Sequence, residues 1–171
     1  MGSEPYDPTL YRGSAVHYRR GRPPYSAALV DMVTTACRLD GTGRLLDVGC
    51  GPGTLAVELA PLVDEATGLD PDADMLAEAE RHARDRGRAN LRWVRGLAEE
   101  IPVLGLGRFR LVTFGQSFHR ASREAVAEIV YDILDPGGSI VLVSHTGPDR
   151  PAPAGPGQPP IPHAEIRGLI D

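Results

Sequence analysis

The run Leu45-Leu46-Asp47-Val48-Gly49-Cys50-Gly51-Pro52-Gly53 constrains the fold more than any other part of this chain. A short apolar run leads straight into a turn studded with glycine, and a helical pattern opens at Thr54. Glycine lacks Cβ, so such a turn can adopt left-handed backbone and let a ligand lie against the main chain. The acid Asp70 closes the next apolar run. A strand, a glycine turn, a helix and then an acid at a second strand end predict a nucleoside-bearing cofactor at the tip of a parallel sheet.

The alternation continues along the chain. Leu29, Met32, Val33 and Ala36 fall at helical spacing after Pro23-Pro24 and predict a helix ending near Leu39. Strands are predicted at Arg44–Val48, Ala66–Leu69, Leu91–Val94, Phe109–Phe114 and Ile140–Val143. Helices are predicted at Thr54–Ala60 with Pro61 at its end, at Ala73–Arg86 with Asp72 as its cap, and at Ser122–Leu134, stopped by Pro136-Gly137-Gly138. Strands separated by helices give a doubly wound α/β domain, a Rossmann-like, mostly parallel sheet of five strands with helices on both faces. This domain is expected over residues 25–146. Residues 1–24, rich in tyrosine and arginine, are expected to form a lid segment. Residues 147–162 read as a proline- and glycine-rich linker, and 163–171 as the start of a truncated helix.

At 171 residues, 42% hydrophobic and 24% charged, the chain suits one soluble domain with a real core. A net charge of −5 gives no reason to expect nucleic acid as a partner. Arg12, Arg19, Arg20 and Arg22 cluster near the N-terminus and read as a solvated face. There is no secretory pattern and no apolar run of membrane length, and Cys37 and Cys50 form no disulfide framework, so a cytoplasmic protein without membrane contact is expected. His17, His82, His119, His145 and His163 lack metal-ligand spacing, so no metal is expected.

The identity of the cofactor turns on details. In the dinucleotide fingerprint G-x-G-x-x-G, a pyrophosphate faces the helix N-terminus. Here the third glycine comes one residue early, and Thr54 stands where that pattern wants glycine or alanine. Asp47 also precedes the loop, where a carboxylate would repel a pyrophosphate and suit a cationic amino group. These features favour S-adenosylmethionine, with an NAD(P)-binding domain as the weaker alternative.

Asp47-Val48-Gly49-Cys50-Gly51-Pro52-Gly53 resembles the first motif of class I S-adenosylmethionine-dependent methyltransferases. Gly68-Leu69-Asp70-Pro71 resembles the second, Gly96-Leu97-Ala98-Glu99-Glu100-Ile101-Pro102 the third, and Phe109–Val112 with Gly115–His119 the fourth. Asp135-Pro136-Gly137-Gly138 resembles the turn into the fifth strand. The small-molecule branch of the family is the nearest likeness. The resemblance implies that Asp47 lies near the cofactor's ammonium, that Gly49, Gly51 and Gly53 pass against its methionine part, and that Asp70, followed by Pro71, accepts from both ribose hydroxyls. It also implies that Leu97 and Ala98 lie along the adenine edge. Many members carry aspartate where Leu97 stands, which leaves the adenine contact to backbone or to Glu99; Glu99 and Glu100 read equally well as a short helical turn. Gly115 and Gln116 would face the transferable methyl. His119 is the candidate base if the acceptor must lose a proton, and otherwise a wall of the acceptor pocket. The family adds two further strands, which this chain is expected to lack. That leaves two open readings: a methyltransferase for a small molecule, or a truncated, non-catalytic cofactor-binding domain. It also exposes the edge of the fifth strand to possible self-association.

Overall fold

The computed structural model describes residues 25–144. The expected lid, the linker and the truncated helix lie outside the described residues. The elements in order are α1 (Ala27–Ala36), β1 (Arg44–Val48), α2 (Thr54–Leu59), β2 (Glu65–Asp70), α3 (Ala73–Asp85), β3 (Leu91–Arg95), β4 (Phe109–Gly115), α4 (Arg123–Ile133) and β5 (Leu134–Val143). Short 3₁₀ turns at Ala60–Leu62, Ala98–Glu100 and Phe118–Arg120 join them.

The sheet runs β3-β2-β1-β4-β5, and every pair is parallel. The chain leaves β1 toward one edge and then returns to its other side at β4. The strand order therefore reverses between β1 and β4, the place where an open α/β sheet forms a ligand crevice beyond its carboxyl ends. Alternation along β1 shows how both faces are covered. Leu45 packs with Val33, Leu55 and Leu59 on one face, while Leu46 packs with Val112, Val126 and Val130 on the other. Each leucine is fully buried, which contributes about 2 kcal/mol.

Local chemistry sets the helix ends. Asp72 caps α3, its Oδ1 accepting from the amides of Asp74 at 2.8 Å and Met75 at 3.2 Å. The Ser26 hydroxyl accepts from the Leu29 amide at the start of α1. Proline at 61 ends α2 by starting a 3₁₀ turn, and the Asn90 side-chain amide donates to the carbonyls of Ala60 and Val63 there.

The fifth strand departs from expectation. It begins at Leu134, not Ile140, because Leu134 already pairs with Phe109 before Asp135-Pro136-Gly137-Gly138 bulges out and pairing resumes at Leu111 with Ser139. Gly137 takes a φ of +78° in that bulge. Among the described residues β5 pairs with β4 alone, and Ile140 and Leu142 on one face are 42% and 54% exposed. No helix among the described residues is long and apolar enough to cross a membrane.

Candidate cofactor site

The carboxyl ends of β1, β2, β3 and β4 bring the expected residues to one end of the sheet. The turn after β1 carries Gly49, Gly51 and Gly53 at φ of +66°, +54° and +72°, conformations that cost other residues roughly 1–3 kcal/mol. The amides of Gly49 and Cys50 both donate to the carbonyl of Leu69, at 2.8 and 3.0 Å, which ties the turn to the end of β2. A Cβ on Gly49 would lie 2.5 Å from the Cβ of Ser117, whereas one on Gly51 would meet nothing among the described residues within 4 Å. The turn is thus pressed against the segment after β4 at its start and is clear of the other described residues at its middle.

Two carboxylates flank it. Asp47 is 1% exposed; its Oδ1 accepts from the Thr113 hydroxyl at 2.7 Å. Its Oδ2 is buried without a hydrogen-bond partner. Burial pushes its pKa up to about 7, against the opposing pull of Thr113 and of the nearby Ala56 amide, and the charge of Asp70 adds to the rise. Asp70 is 8% exposed. Its Oδ2 accepts from the Gly51 amide at 2.8 Å and its Oδ1 from the Asp72 amide at 2.9 Å. Burial raises its pKa as well; the two amides oppose this, and Arg120 lies near enough to help them. Each Asp70 oxygen keeps acceptor capacity beyond the one amide it holds.

The remaining expected residues lie at or just beyond the carboxyl ends of β2, β3 and β4. Pro71, Leu97, Ala98, Gly115 and Gln116 are half-buried. The Gln116 backbone takes a φ of +61°, held by its amide donating to the Val143 carbonyl at 2.8 Å. His119 is exposed in the 3₁₀ turn after β4, which Phe118 anchors by an edge-to-face contact with Phe114 at 5.0 Å. Glu99 and Glu100 lie in a short 3₁₀ turn, Ala98–Glu100. Glu100 folds back to accept from the Leu97 amide, and Glu99 Oε1 accepts from the Ser122 amide at 2.9 Å. Glu99 therefore fastens the turn after β3 to the start of α4.

Three further residues shape the site without a signal in the sequence. The Ser117 hydroxyl donates to the Val48 carbonyl, bridging the ends of β4 and β1. The Tyr25 hydroxyl would stand 2.9 Å from a Cβ on Gly115. Trp93 packs against both Gly53 and Gly68. All three depend on contacts between distant segments. No cluster of three or more His, Cys, Asp or Glu that could hold a metal occurs among the described residues.

The donor set matches the cofactor that the sequence suggests. A buried carboxylate beside the turn with one oxygen left over suits a cation and not a pyrophosphate, and Asp70 suits a diol. Comparison with known proteins agrees. Residues 45–138 match the methyltransferase domain family. The chain is 34% identical over 123 residues to the uncharacterized methyltransferase YcgJ of Bacillus subtilis, covering 70% of this chain and 47% of that protein. It is 33% identical over 98 residues to a ubiquinone biosynthesis O-methyltransferase of Cronobacter sakazakii, covering 57% and 40%. A solved DhpI-SAM-HEP complex superimposes with a TM-score of 0.59 at 26% identity, covering 77% of this chain and 61% of that one. The chain spans about half the length of the curated relatives it matches. From motif order, sheet topology and these matches, the chain belongs to the class I S-adenosylmethionine-dependent methyltransferases.

Proposed function

We propose that this chain seats S-adenosylmethionine across the carboxyl ends of β1 and β2 and passes its methyl group to a small-molecule acceptor. The observation that carries the reading is the pair of buried carboxylates, Asp47 and Asp70, on either side of a left-handed glycine turn whose middle, Gly51, is clear of the other described residues. Asp47 neutralises the ammonium with its unpartnered Oδ2. Gly49, Gly51 and Gly53 let the methionine part lie on bare backbone, and Asp70 accepts from the ribose hydroxyls while keeping its bond to Gly51. Pro71 stiffens the chain beyond Asp70, and Leu97 and Ala98 line the adenine edge.

The cofactor is a sulfonium and supplies an already activated methyl group. The chain's residues therefore contribute alignment for an in-line displacement and exclusion of water. Gly115 and Gln116 border the path of transfer, and His119 takes a proton from an acceptor that must lose one. A small-molecule acceptor is supported by the family branch that the motifs resemble and by the relative named for ubiquinone biosynthesis. Among the described residues the outer edge of β5 pairs with no strand, and Ile140 and Leu142 are exposed beside it, which supports self-association through that edge.

Calorimetry with S-adenosylhomocysteine and with NAD tests the cofactor assignment, and binding of NAD alone would overturn it. Transfer of a labelled methyl group to a pool of metabolites tests catalysis. Binding of S-adenosylhomocysteine without any transfer would leave a non-catalytic cofactor-binding domain. His119→Ala is expected to bind cofactor normally and to lose transfer only to acceptors that must be deprotonated. Normal transfer to such an acceptor removes His119 as the base.

A further inference from the structure

Trp93 lies in a slot that small residues leave for it. It pairs with Gly68 across β2 and β3, and its ring covers that glycine: a Cβ on Gly68 would stand 2.4 Å from Cζ3 and 2.5 Å from Cε3. The far corner of the same indole reaches the cofactor turn, where a Cβ on Gly53 would stand 2.6 Å from Cη2 and 3.0 Å from the Cβ of Ala79 in α3. One rigid ring is therefore wedged between β2, α3 and the last glycine of the turn. Gly53 is the residue whose left-handed backbone launches α2, so its position fixes how the turn meets the helix.

On the reading that this turn receives the cofactor, we infer that Trp93 is a positioning residue for S-adenosylmethionine, propping Gly53 from beneath without itself entering the chemistry. The physical basis is packing. The turn is tied to β2 by hydrogen bonds near Gly49, Cys50 and Gly51, but at Gly53 it leans on the indole and on Ala79. A smaller side chain at 93 leaves a gap there, and close-packed surroundings relax only partly into such a gap. The turn then samples conformations that do not fit the ligand, and apparent affinity falls by the fraction of time so spent.

The test uses the full chain. Trp93→Leu is expected to weaken S-adenosylhomocysteine binding about tenfold, and Trp93→Phe, which keeps part of the ring, about threefold. In turnover the loss falls on KM for the cofactor, with kcat at saturating cofactor within about twofold. Gly68→Ala, whose methyl would stand 2.4 Å from the indole and 2.9 Å from Cys50 Sγ, is expected to weaken binding about tenfold in the native background and by a smaller further factor in the Trp93→Leu background, where only the Cys50 contact remains. Trp93 is the sole tryptophan of the chain. Its emission is therefore expected to change during titration with S-adenosylhomocysteine, with the midpoint found by calorimetry. This readout holds even if Trp93→Leu fails to fold. Unchanged affinity in a folded Trp93→Leu variant, equal losses in kcat, or silent emission during a titration that calorimetry shows to be complete would each overturn the inference. Failure of the native chain to bind S-adenosylhomocysteine would overturn the cofactor assignment along with it. Binding that is native in strength in both Trp93 variants overturns only the propping role.

Discussion

The two ends of the sheet use the same side chains to opposite effect. At the amino ends, acids meet guanidinium groups: Arg44 and Arg92 both reach Glu65, at 2.8 and 3.2 Å, and Arg110 grips Asp40, Thr42 and the Arg38 carbonyl. Glu65 is lowered from its ordinary pKa, chiefly by its bond to Arg44, and Asp40 is lowered to about 2, chiefly by its bond to the Thr42 hydroxyl and then by Arg110. At the carboxyl ends, Asp47 and Asp70 are buried and pushed up. One end has its charges compensated within the fold. The other holds charge in reserve, which destabilises the free protein and suits a ligand that brings the compensation.

Four substitutions test that contrast. The largest effect is expected from Gly49→Ala, whose methyl must occupy space held by Ser117 while the backbone stays left-handed. A loss of about 3 kcal/mol in urea unfolding is expected, with S-adenosylhomocysteine binding abolished in calorimetry. Retained binding would separate the turn from the ligand.

Asp47→Asn comes next and has the opposite sign. Asp47 ionises at its ordinary 3.8 in the unfolded chain and at about 7 in the fold. Between those values the folded state holds the extra proton, so this group's contribution to stability falls as pH rises through the window, by on the order of 4 kcal/mol in all. Asparagine removes that penalty. The variant is expected to be about 2 kcal/mol more stable than the native chain at pH 8, to match it near pH 4, and to bind S-adenosylhomocysteine about tenfold more weakly. A variant less stable at pH 8 would mean that the charge is already compensated in the free protein.

Asp70→Asn is expected to weaken S-adenosylhomocysteine binding about tenfold, through one charge-assisted acceptor lost to the ribose. Part of that loss has a structural origin, because Asp70 also holds the Gly51 amide. Hydrogen exchange at Gly51 separates the two contributions. Unchanged affinity would refute the ribose assignment.

Arg110→Ala gives the smallest effect. A slightly lower urea midpoint is expected, with cofactor affinity unchanged within about twofold, because the half-buried Arg110 meets exposed partners at the end of the sheet away from the site. The stability that Asp40 provides is present above its ordinary 3.8 and is lost as pH falls toward about 2, so the variant and the native chain should converge in acid. A large change in cofactor binding would break the division between the two ends.

The parts legible in the sequence are those fixed by local chemistry. Leu45 and Leu46 announce a strand buried on both faces, the glycines announce left-handed backbone, and Asp72 announces a helix start; each is observed. The early start of β5 was hidden because Asp135-Pro136-Gly137-Gly138 reads as a terminator, and only the partner Phe109 reveals that Leu134 is already paired. The role of Glu99 was hidden for the same reason: its bond to Ser122 joins segments that sequence proximity does not connect. Trp93 looks like an ordinary strand aromatic until Gly53 and Gly68 are brought beside it. Asp47 was legible as an acid beside the turn, but its missing partner was not, since an absent neighbour is a property of packing.

The bond from the Gln116 amide to the Val143 carbonyl has a consequence for motion. Among the described residues it is the last rung between the end of β5 and the segment that borders the site, and together with a longer bond to the Phe114 carbonyl at 3.2 Å it restrains a backbone whose φ of +61° few non-glycine residues hold unaided. An excursion that frees the end of β5 also frees Gln116 to relax toward ordinary backbone. The exchange rate of that single amide with solvent deuterium therefore serves as a gauge of how often the outer strand lets go of the crevice wall.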